Sequence, residues 1–263
     1  MPTSPDNKHP AGRPEPYLDV ENLAAGYGAS LILSGVSVLV GRGEIACIVG
    51  PNGSGKSTLV KAATGDLPAR AGTVRLGGKD ITNKRRDLLV RLGMRLVPQE
   101  NVVFDSLTVR ENLEMGGYVL KRRDVPAAAE RVCEIFPSLR QLQKSLAGRL
   151  SGGERKLVAI GRALMSEPTV IILDEPSASL SPAASEVLLH GQVPALASTG
   201  TAVLLIEQRA VQALRISDWA YVMVAGRIEV SLPAPEMLSR GDIGELFLGH
   251  RANGDPAINL TVE

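Results

Sequence analysis

A glycine-rich segment that ends in lysine, serine and threonine reads GPNGSGKST over residues 50–58. It follows a short apolar run and precedes a helical pattern, which is the context in which G-x-x-x-x-G-K-S/T binds phosphate. Glycines allow backbone N–H groups to turn onto phosphate oxygens, and a helix N-terminus adds partial positive charge. We predict that all of its residues bind nucleotide: Gly50, Pro51, Asn52, Gly53, Ser54, Gly55, Lys56, Ser57 and Thr58.

Two side chains of this segment and two carboxylates further along suit phosphate chemistry. Lys56 places an ammonium at the β- and γ-phosphates, and Ser57 offers a hydroxyl to Mg²⁺. Asp174 and Glu175 follow the apolar run 170–173, and a buried strand carries its last residues to the sheet edge where α/β folds bind ligands. We expect Asp174 to hold Mg²⁺, directly or through water, and Glu175 to orient and deprotonate an attacking water.

A third motif, LSGGER over residues 150–155, precedes a helical pattern. Two glycines at a helix entry form an anion-binding backbone nest. Ser151 is the predicted N-cap of that helix. Taken alone, the motif indicates a helix start.

Composition narrows the classes of protein. The 263 residues carry 29 Lys plus Arg against 28 Asp plus Glu, a net charge of +1, which argues against nucleic acid as an obligatory ligand. Cys47 and Cys133 form neither a metal-ligand spacing nor a disulfide framework, which favours a reducing cytoplasm. No apolar run approaches the roughly 18 residues of a membrane helix, and the N-terminus shows no signal peptide.

The elements that position these motifs alternate between β-type runs and helical patterns, which indicates an α/β fold with a mainly parallel sheet covered on both faces. Segment 101–166 has helix signals and no strand signal, so we expect an inserted helical subdomain. Residues 1–16 are predicted to be a disordered Pro-rich arm and residues 251–263 a flexible tail. The predicted strands are 17–23, 36–40, 44–49, 73–76, 94–97, 169–174, 202–206, 220–224 and 227–230. The predicted helices are 56–64, 86–91, 109–119, 126–136, 153–165, 183–196 and 210–215.

The order of motifs resembles that of the nucleotide-binding subunits of ABC transporters over about residues 17–250. The resemblance implies a P-loop NTPase with an N-terminal antiparallel β subdomain and an inserted helical signature subdomain. It also implies hydrolysis of ATP, with Mg²⁺ as cofactor, coupled to transmembrane transport.

The family's functional positions can be placed on this sequence. Tyr27 matches the aromatic residue that stacks on adenine. Gln99 matches the glutamine that touches Mg²⁺ and the water and links to the membrane subunit. The signature residues match a segment that contacts ATP held by another subunit, so the active unit is a head-to-tail pair; they are Ser151, Gly152, Gly153 and Glu154.

Two positions depart from the common family pattern. Gln208 stands where most members have a histidine at the γ-phosphate, and an amide donates a hydrogen bond but carries no charge. Ser181 stands where many members have Asp. Together with LTVRENL at 107–113, these departures resemble an ATPase of branched-chain amino acid importers, and urea and short-amide importers have similar patterns.

The resemblance implies several partners. They are integral membrane permease subunits, a second ABC ATPase in a homo- or heterodimer and, indirectly, a periplasmic substrate-binding protein. The chain would then be cytoplasmic and peripheral on the inner face of the cell membrane. The surface around Asn101–Asn112 is the candidate docking face, although Val102, Val103 and Phe104 fit a core equally.

Two other functions stay open at this stage. A soluble ABC ATPase of DNA repair or translation usually has a long coiled coil or two cassettes, whereas this chain has one cassette. A module that binds nucleotide without hydrolysis is disfavoured by Lys56 and Glu175.

Overall fold

A computed structural model describes residues 13–100 and 103–240. The strands are β1 (Pro16–Ala25), β2 (Leu33–Gly41), β3 (Ile45–Val49), β4 (Ala69–Leu76), β5 (Lys79–Asp80), β6 (Met94–Val97), β7 (Val170–Asp174), β8 (Ala202–Glu207), β9 (Trp219–Val224) and β10 (Arg227–Pro233). The helices are α1 (Lys56–Ala63), α2 (Arg86–Arg91), α3 (Val109–Gly116), α4 (Val125–Ile135), α5 (Pro137–Leu142), α6 (Gly152–Leu164), α7 (Pro182–Glu186), α8 (Val193–Ser198), α9 (Ala210–Ile216) and α10 (Ala234–Ser239).

The strands form two sheets. An antiparallel sheet has the order β2-β1-β4-β5, and a six-stranded sheet has the order β10-β9-β3-β8-β7-β6. In the second sheet β9, β3, β8, β7 and β6 are parallel, and β10 pairs antiparallel with β9 at its edge. The predicted α/β fold with an N-terminal antiparallel subdomain is therefore confirmed.

The central strands are apolar except for Asp174 and Glu207, which end β7 and β8, because both faces of the sheet are covered. All residues of β3 and β8 are buried. In β3, Cys47 packs with the helices on one face, whereas Ile48 packs with the antiparallel sheet on the other. Continuous apolar runs of this kind are typical of buried parallel strands. The sheet is thus a rigid support for the loops at its carboxyl edge.

The segment between β6 and β7 is helical, as predicted. Within residues 103–166 the structure has no extended strand, and strand-like pairing is limited to one bridge between Thr108 and Leu146. Helix α6 packs closely against its neighbours because Gly161 has no side chain. A Cβ there would lie 2.9 Å from Leu139 and 3.0 Å from Leu113. Helix α6 is also the element that carries the LSGGER motif at its start.

Three short elements were not predicted from the sequence: β5, α5 and α10. The predicted helix 183–196 consists of α7, a π-helical segment Val187–Gln192, and α8. Pro194 lies at the start of α8 and has no N–H to donate to the preceding turn. A widened π turn before such a residue is a common accommodation.

The packed chain begins earlier than predicted, inside the segment 1–16. The buried Arg13 side chain forms an ion pair with Glu44 (2.6 Å), lies 4.4 Å from the ring centroid of Trp219 and donates to the Tyr221 hydroxyl at 2.8 Å. Residues 13–16 therefore belong to the fold. The rest of the predicted arm, residues 1–12, lies outside the described residues, as do residues 241–250 and the predicted tail 251–263.

None of the helices in the described ranges is long and apolar enough to cross a membrane.

Candidate nucleotide-binding site

The phosphate loop connects β3 to α1 at the carboxyl edge of the large sheet. Two of its glycines are sterically required. A Cβ on Gly50 would lie 2.1 Å from the Met223 carbonyl oxygen. Gly55, the N-cap of α1, has φ 107°, a left-handed conformation that side chains disfavour. The loop therefore turns tightly against β9 and leads directly into the N-terminus of α1.

Lys56 is held at the mouth of this loop. Its buried Nζ donates to the carbonyl oxygens of Gly50 (2.8 Å) and Pro51 (3.0 Å). Burial lowers its pKa, and the nearby carboxylates of Glu175 and Asp174 act in the opposite direction. The ammonium is therefore positioned beside the carboxylates and within reach of an anion that enters the loop.

A cleft of about 500 Å³ brings together most of the predicted site residues. Tyr27 is 47% exposed at its edge, and the Lys61 ammonium lies 5.8 Å from its ring centroid. An exposed ring of this kind offers a face for stacking by a base. The lining residues are Tyr27, Ile32, Asn52, Gly53, Gly55, Lys56, Ser57, Thr58, Gln99, Glu175 and Gln208. Only Ile32 among them was not predicted.

Glu175 lies in this cleft in a strained backbone conformation. Its φ is 45°, which is uncommon for a residue with a side chain. Its N–H donates to the Ile206 carbonyl at 2.9 Å, and Gln208 Nε2 donates to Glu175 Oε2 at 2.6 Å. The structure thus places the Gln208 amide on the carboxylate, which fixes the orientation of Glu175 towards the cleft.

Asp174, the last residue of β7, precedes Glu175. Burial raises its pKa, Glu175 adds to that effect, and the charge of Lys56 opposes it. Two adjacent carboxylates in a partly desolvated position favour a bound cation. Within the residues that the structure describes, no three His, Cys, Asp or Glu side chains form a metal cluster, so a cation here needs further ligands.

The signature segment lies at the start of α6 and does not line the cleft. Ser151 accepts from the Glu154 N–H at 3.3 Å, and the Glu154 carboxylate accepts from the Ser151 N–H at 2.8 Å. This capping box confirms Ser151 as the N-cap. Ser151 and Gly152 are exposed, so the nest at this helix start faces outward.

Sequence reasoning missed one buried carboxylate, Glu207. It accepts from the Ser177 N–H at 3.0 Å and from the Gln208 N–H at 3.2 Å, and so joins the loop after β7 to the loop after β8. A charged residue at the end of an otherwise apolar strand was the available signal. Ser181, the departure from the common pattern, is the N-cap of α7 and accepts from the Ala184 N–H at 3.3 Å.

We expect Gln208→Ala to lower the rate of hydrolysis about tenfold and to leave ATP affinity almost unchanged. The loss of the 2.6 Å bond frees the Glu175 carboxylate to rotate, and misorientation of the base that the sequence predicts here would lower kcat more than binding. Phosphate release and nucleotide titration would measure the two quantities. A Gln208→His variant retains a donor and should keep more activity. Equal rates for all three proteins would contradict the assignment.

A glycine-rich loop between a parallel strand and a helix, with a lysine and a carboxylate pair at the same sheet edge, defines a P-loop nucleotide-binding protein. Comparison with known families agrees with this class. The ABC transporter family profile matches residues 33–178. The chain therefore belongs to the ABC transporter family, as a cassette that binds and hydrolyses ATP.

Curated relatives cover most of the chain. It is 37% identical over 232 residues to the high-affinity branched-chain amino acid transport ATP-binding protein BraG of Pseudomonas aeruginosa. The alignment covers 88% of this chain and 99% of BraG. It is 38% identical to the probable branched-chain amino acid transport ATP-binding protein LivF of Archaeoglobus fulgidus. That alignment covers 88% of this chain and 98% of LivF. Among solved structures, the ADP conformation of an ABC transporter cassette superposes with a TM-score of 0.81 at 34% identity, covering 89% and 99% of the two chains.

Proposed function

We propose that this chain is the ATPase subunit of an importer for branched-chain amino acids. The observation that supports the proposal best is the arrangement of the cleft, in which Lys56, Gln99 and Glu175 meet while the signature at Ser151 faces outward. BraG and LivF, both branched-chain amino acid transport proteins by name, are similar to this chain over almost their whole length.

In the proposed reaction Lys56 binds the β- and γ-phosphates of ATP within the loop amides. Glu175 accepts a proton from the attacking water, and Gln208 holds the Glu175 carboxylate in position. Tyr27 stacks on the adenine. Glu207 supports the arrangement because it anchors the N–H groups of Ser177 and Gln208.

The oxygen ligands available at the phosphate end of the cleft fit Mg²⁺. Ser57, Gln99 and Asp174 supply a hydroxyl, an amide oxygen and a carboxylate, the oxygen ligands that a hard cation prefers. Phosphate oxygens and water would complete the set, consistent with the absence of a protein-only cluster among the described residues. Bound Mg²⁺ would neutralise charge that develops on the phosphates.

The outward position of the signature supports a head-to-tail pair. Ser151, Gly152, Gly153 and Glu154 do not line the cleft of their own chain, which leaves them available to contact ATP in a second cassette. Each pair would then enclose two ATP molecules, and binding energy present only in the closed pair would drive closure. The second cassette is either another copy or a sister ATPase.

A groove whose lining includes Pro98, the residue before Gln99, is our proposed permease-docking face. Its volume is about 310 Å³, and its lining includes Arg95, Phe104, Met115, Tyr118 and Arg162. Phe104 and Tyr118 are 46% and 65% exposed, so the predicted docking residue Phe104 is at the surface and is not core. Val103 is partly buried against the core, and Val102 lies outside the described residues.

The positive charge in the groove is consistent with a partner that supplies hydrogen-bond acceptors. Arg95 is 7% exposed, and its Nη2 has no hydrogen-bond partner within the described residues. Such a group is costly to bury, so a docked segment with a carboxylate or helix C-terminus would stabilise it. The cassette would thereby lie on the cytoplasmic face of the membrane, with a periplasmic substrate-binding protein on the opposite side.

We expect Tyr118→Asp to abolish co-purification with the permeases, while the basal ATPase activity stays within twofold. The change removes an exposed ring from the groove and places a carboxylate near Arg95, whose guanidinium lies 5.9 Å from the Tyr118 ring centroid, where it would compete with the acceptor of the docked segment. Val187→Asp is the matched control because Val187 is 59% exposed and lies outside the groove lining. The measurement is a pull-down from cells that co-express the permease subunits of its transporter. Retention of both permeases by Tyr118→Asp would reject the docking face.

Substrate identity requires the assembled transporter. We would reconstitute the chain with those permeases and the binding protein in proteoliposomes and measure ATP-dependent uptake of labelled leucine, urea and acetamide. Leucine uptake that requires Glu175 would support the proposal. Uptake of urea or acetamide alone would assign the chain to the related importers.

A further inference from the structure

A buried lysine outside the assigned site connects the signature helix to the nucleotide cleft. Lys156 of α6 is 4% exposed, and its Nζ donates to the Gln99 carbonyl oxygen at 2.9 Å and to the Pro98 carbonyl oxygen at 3.3 Å. It lies five residues after Ser151, little more than one helical turn. One side chain therefore ties the outward-facing start of α6 to the backbone of the residue that enters the cleft.

The surroundings of Lys156 make this link specific. Burial lowers its pKa, and the carboxylates of Asp174 and Glu207 oppose that effect. An ammonium this deeply buried is stable only where acceptors are fixed around it. Its charged hydrogen bonds to the Pro98 and Gln99 carbonyls are therefore stronger than neutral ones.

Gln99, in contrast, has few restraints of its own. It is exposed, and its side chain makes no hydrogen bond within residues 13–100 and 103–240. Its backbone carbonyl is the point at which Lys156 holds it. A displacement of α6 would therefore be transmitted through Lys156 to the position of the Gln99 amide in the cleft.

We propose that Lys156 is a positioning residue that makes Gln99 move together with the signature. The inference rests on the proposed function, since it needs a second cassette whose ATP contacts Ser151. Engagement of that ATP would set the position of α6, and Lys156 would then set the Gln99 oxygen at the cation of its own cleft. The two ATP sites of a pair would communicate through this side chain.

The test uses the full-length chain with Glu175→Gln, in which occupancy is measured without turnover. In that background we would introduce Lys156→Met, Lys156→Arg and, as a matched control, Lys144→Met. Lys144 is an exposed lysine in the turn after α5, within the same inserted subdomain. Light scattering would follow ATP-driven association, and electron paramagnetic resonance would follow Mn²⁺ binding to the ATP complex.

Lys156→Met should weaken Mn²⁺ binding about tenfold, equivalent to about 1.4 kcal/mol, and lower the Hill coefficient of association from about 2 towards 1. ATP affinity without metal should change less than twofold. Arginine retains the donors and should restore both quantities, and Lys144→Met should match the parent. Unchanged metal affinity and cooperativity in Lys156→Met would overturn the inference.

A double-mutant cycle separates this role from a merely structural one. If Lys156 acts through Gln99, Lys156→Met should have little further effect on Mn²⁺ binding in a Gln99→Ala background. An additive effect would show that Lys156 acts elsewhere. If Lys156→Met does not fold, Lys156→Gln, which keeps a donor but no charge, takes its place in the cycle. A parent protein that forms no ATP-dependent pair would refute the paired arrangement itself, whereas a normal parent with an inert Lys156→Met refutes only the lysine's role.

Discussion

Glu175→Gln is expected to bind ATP with almost unchanged affinity and to hydrolyse it at least about 100-fold more slowly. The amide has nearly the same shape as the carboxylate, but it does not accept a proton from water. Glu175 is buried in the cleft, fixed by Ile206 and Gln208, so no other group is held in the same position. ATP then persists, and the head-to-tail pair should accumulate.

The measurements are phosphate release and size-exclusion chromatography with light scattering, each with and without ATP. Glu229→Gln is the matched control because Glu229 is an exposed glutamate of β10 that does not line the cleft. We expect a shift from monomer to dimer only in Glu175→Gln with ATP. Normal turnover by this variant would exclude Glu175 as the base, and a monomer at saturating ATP would count against the pair.

Local pattern was sufficient to predict the elements around the phosphate loop. The apolar run of β3, the glycines and the start of α1 are contiguous, and each follows from backbone sterics at its own position. The same holds for β7, whose buried run ends at the two carboxylates. The Ser151 cap was predictable because a serine before a helix satisfies a free N–H.

Contacts between segments that are far apart in the sequence could not be predicted from local pattern. Arg13 lies in a proline-rich stretch, and only the folded chain shows that it reaches Glu44 and Trp219. The partners of Glu207 and Lys156 likewise could not be predicted from local pattern, since Ser177 and Gln99 lie on other loops. Buried charges of this type are specified by tertiary geometry and acquire their meaning from the groups that satisfy them.

Gln208 shows what the sequence and the structure each contribute to the interpretation of one residue. From the sequence, an amide at this place was expected near the γ-phosphate, where it donates but carries no charge. The structure adds that its Nε2 is bonded to Glu175, and that Glu207 holds its backbone N–H. Gln208, which stands where the resemblance implies a histidine, therefore supports the proposed base, Glu175.

Lys56→Met should remove both ATP binding and hydrolysis, with affinity lowered at least about 100-fold. Methionine has similar length and keeps the apolar contacts of the stem, but the loop loses its one cation bonded to Gly50 and Pro51. Asp174 and Glu175 would then face the phosphates with less compensating positive charge, and repulsion adds to the lost attraction. Titration with a fluorescent ATP analogue measures the affinity.

The melting temperature distinguishes a specific loss of ATP affinity in Lys56→Met from unfolding of the protein. Because burial already disfavours the charged form of Lys56, an apolar side chain there should leave the melting temperature within a few degrees or raise it. Lys79→Met, at an exposed lysine of β5, is the matched control and should bind ATP normally. A folded Lys56→Met protein that retains ATP affinity would remove the phosphate loop from the site, and with it the assignment of the cleft to ATP.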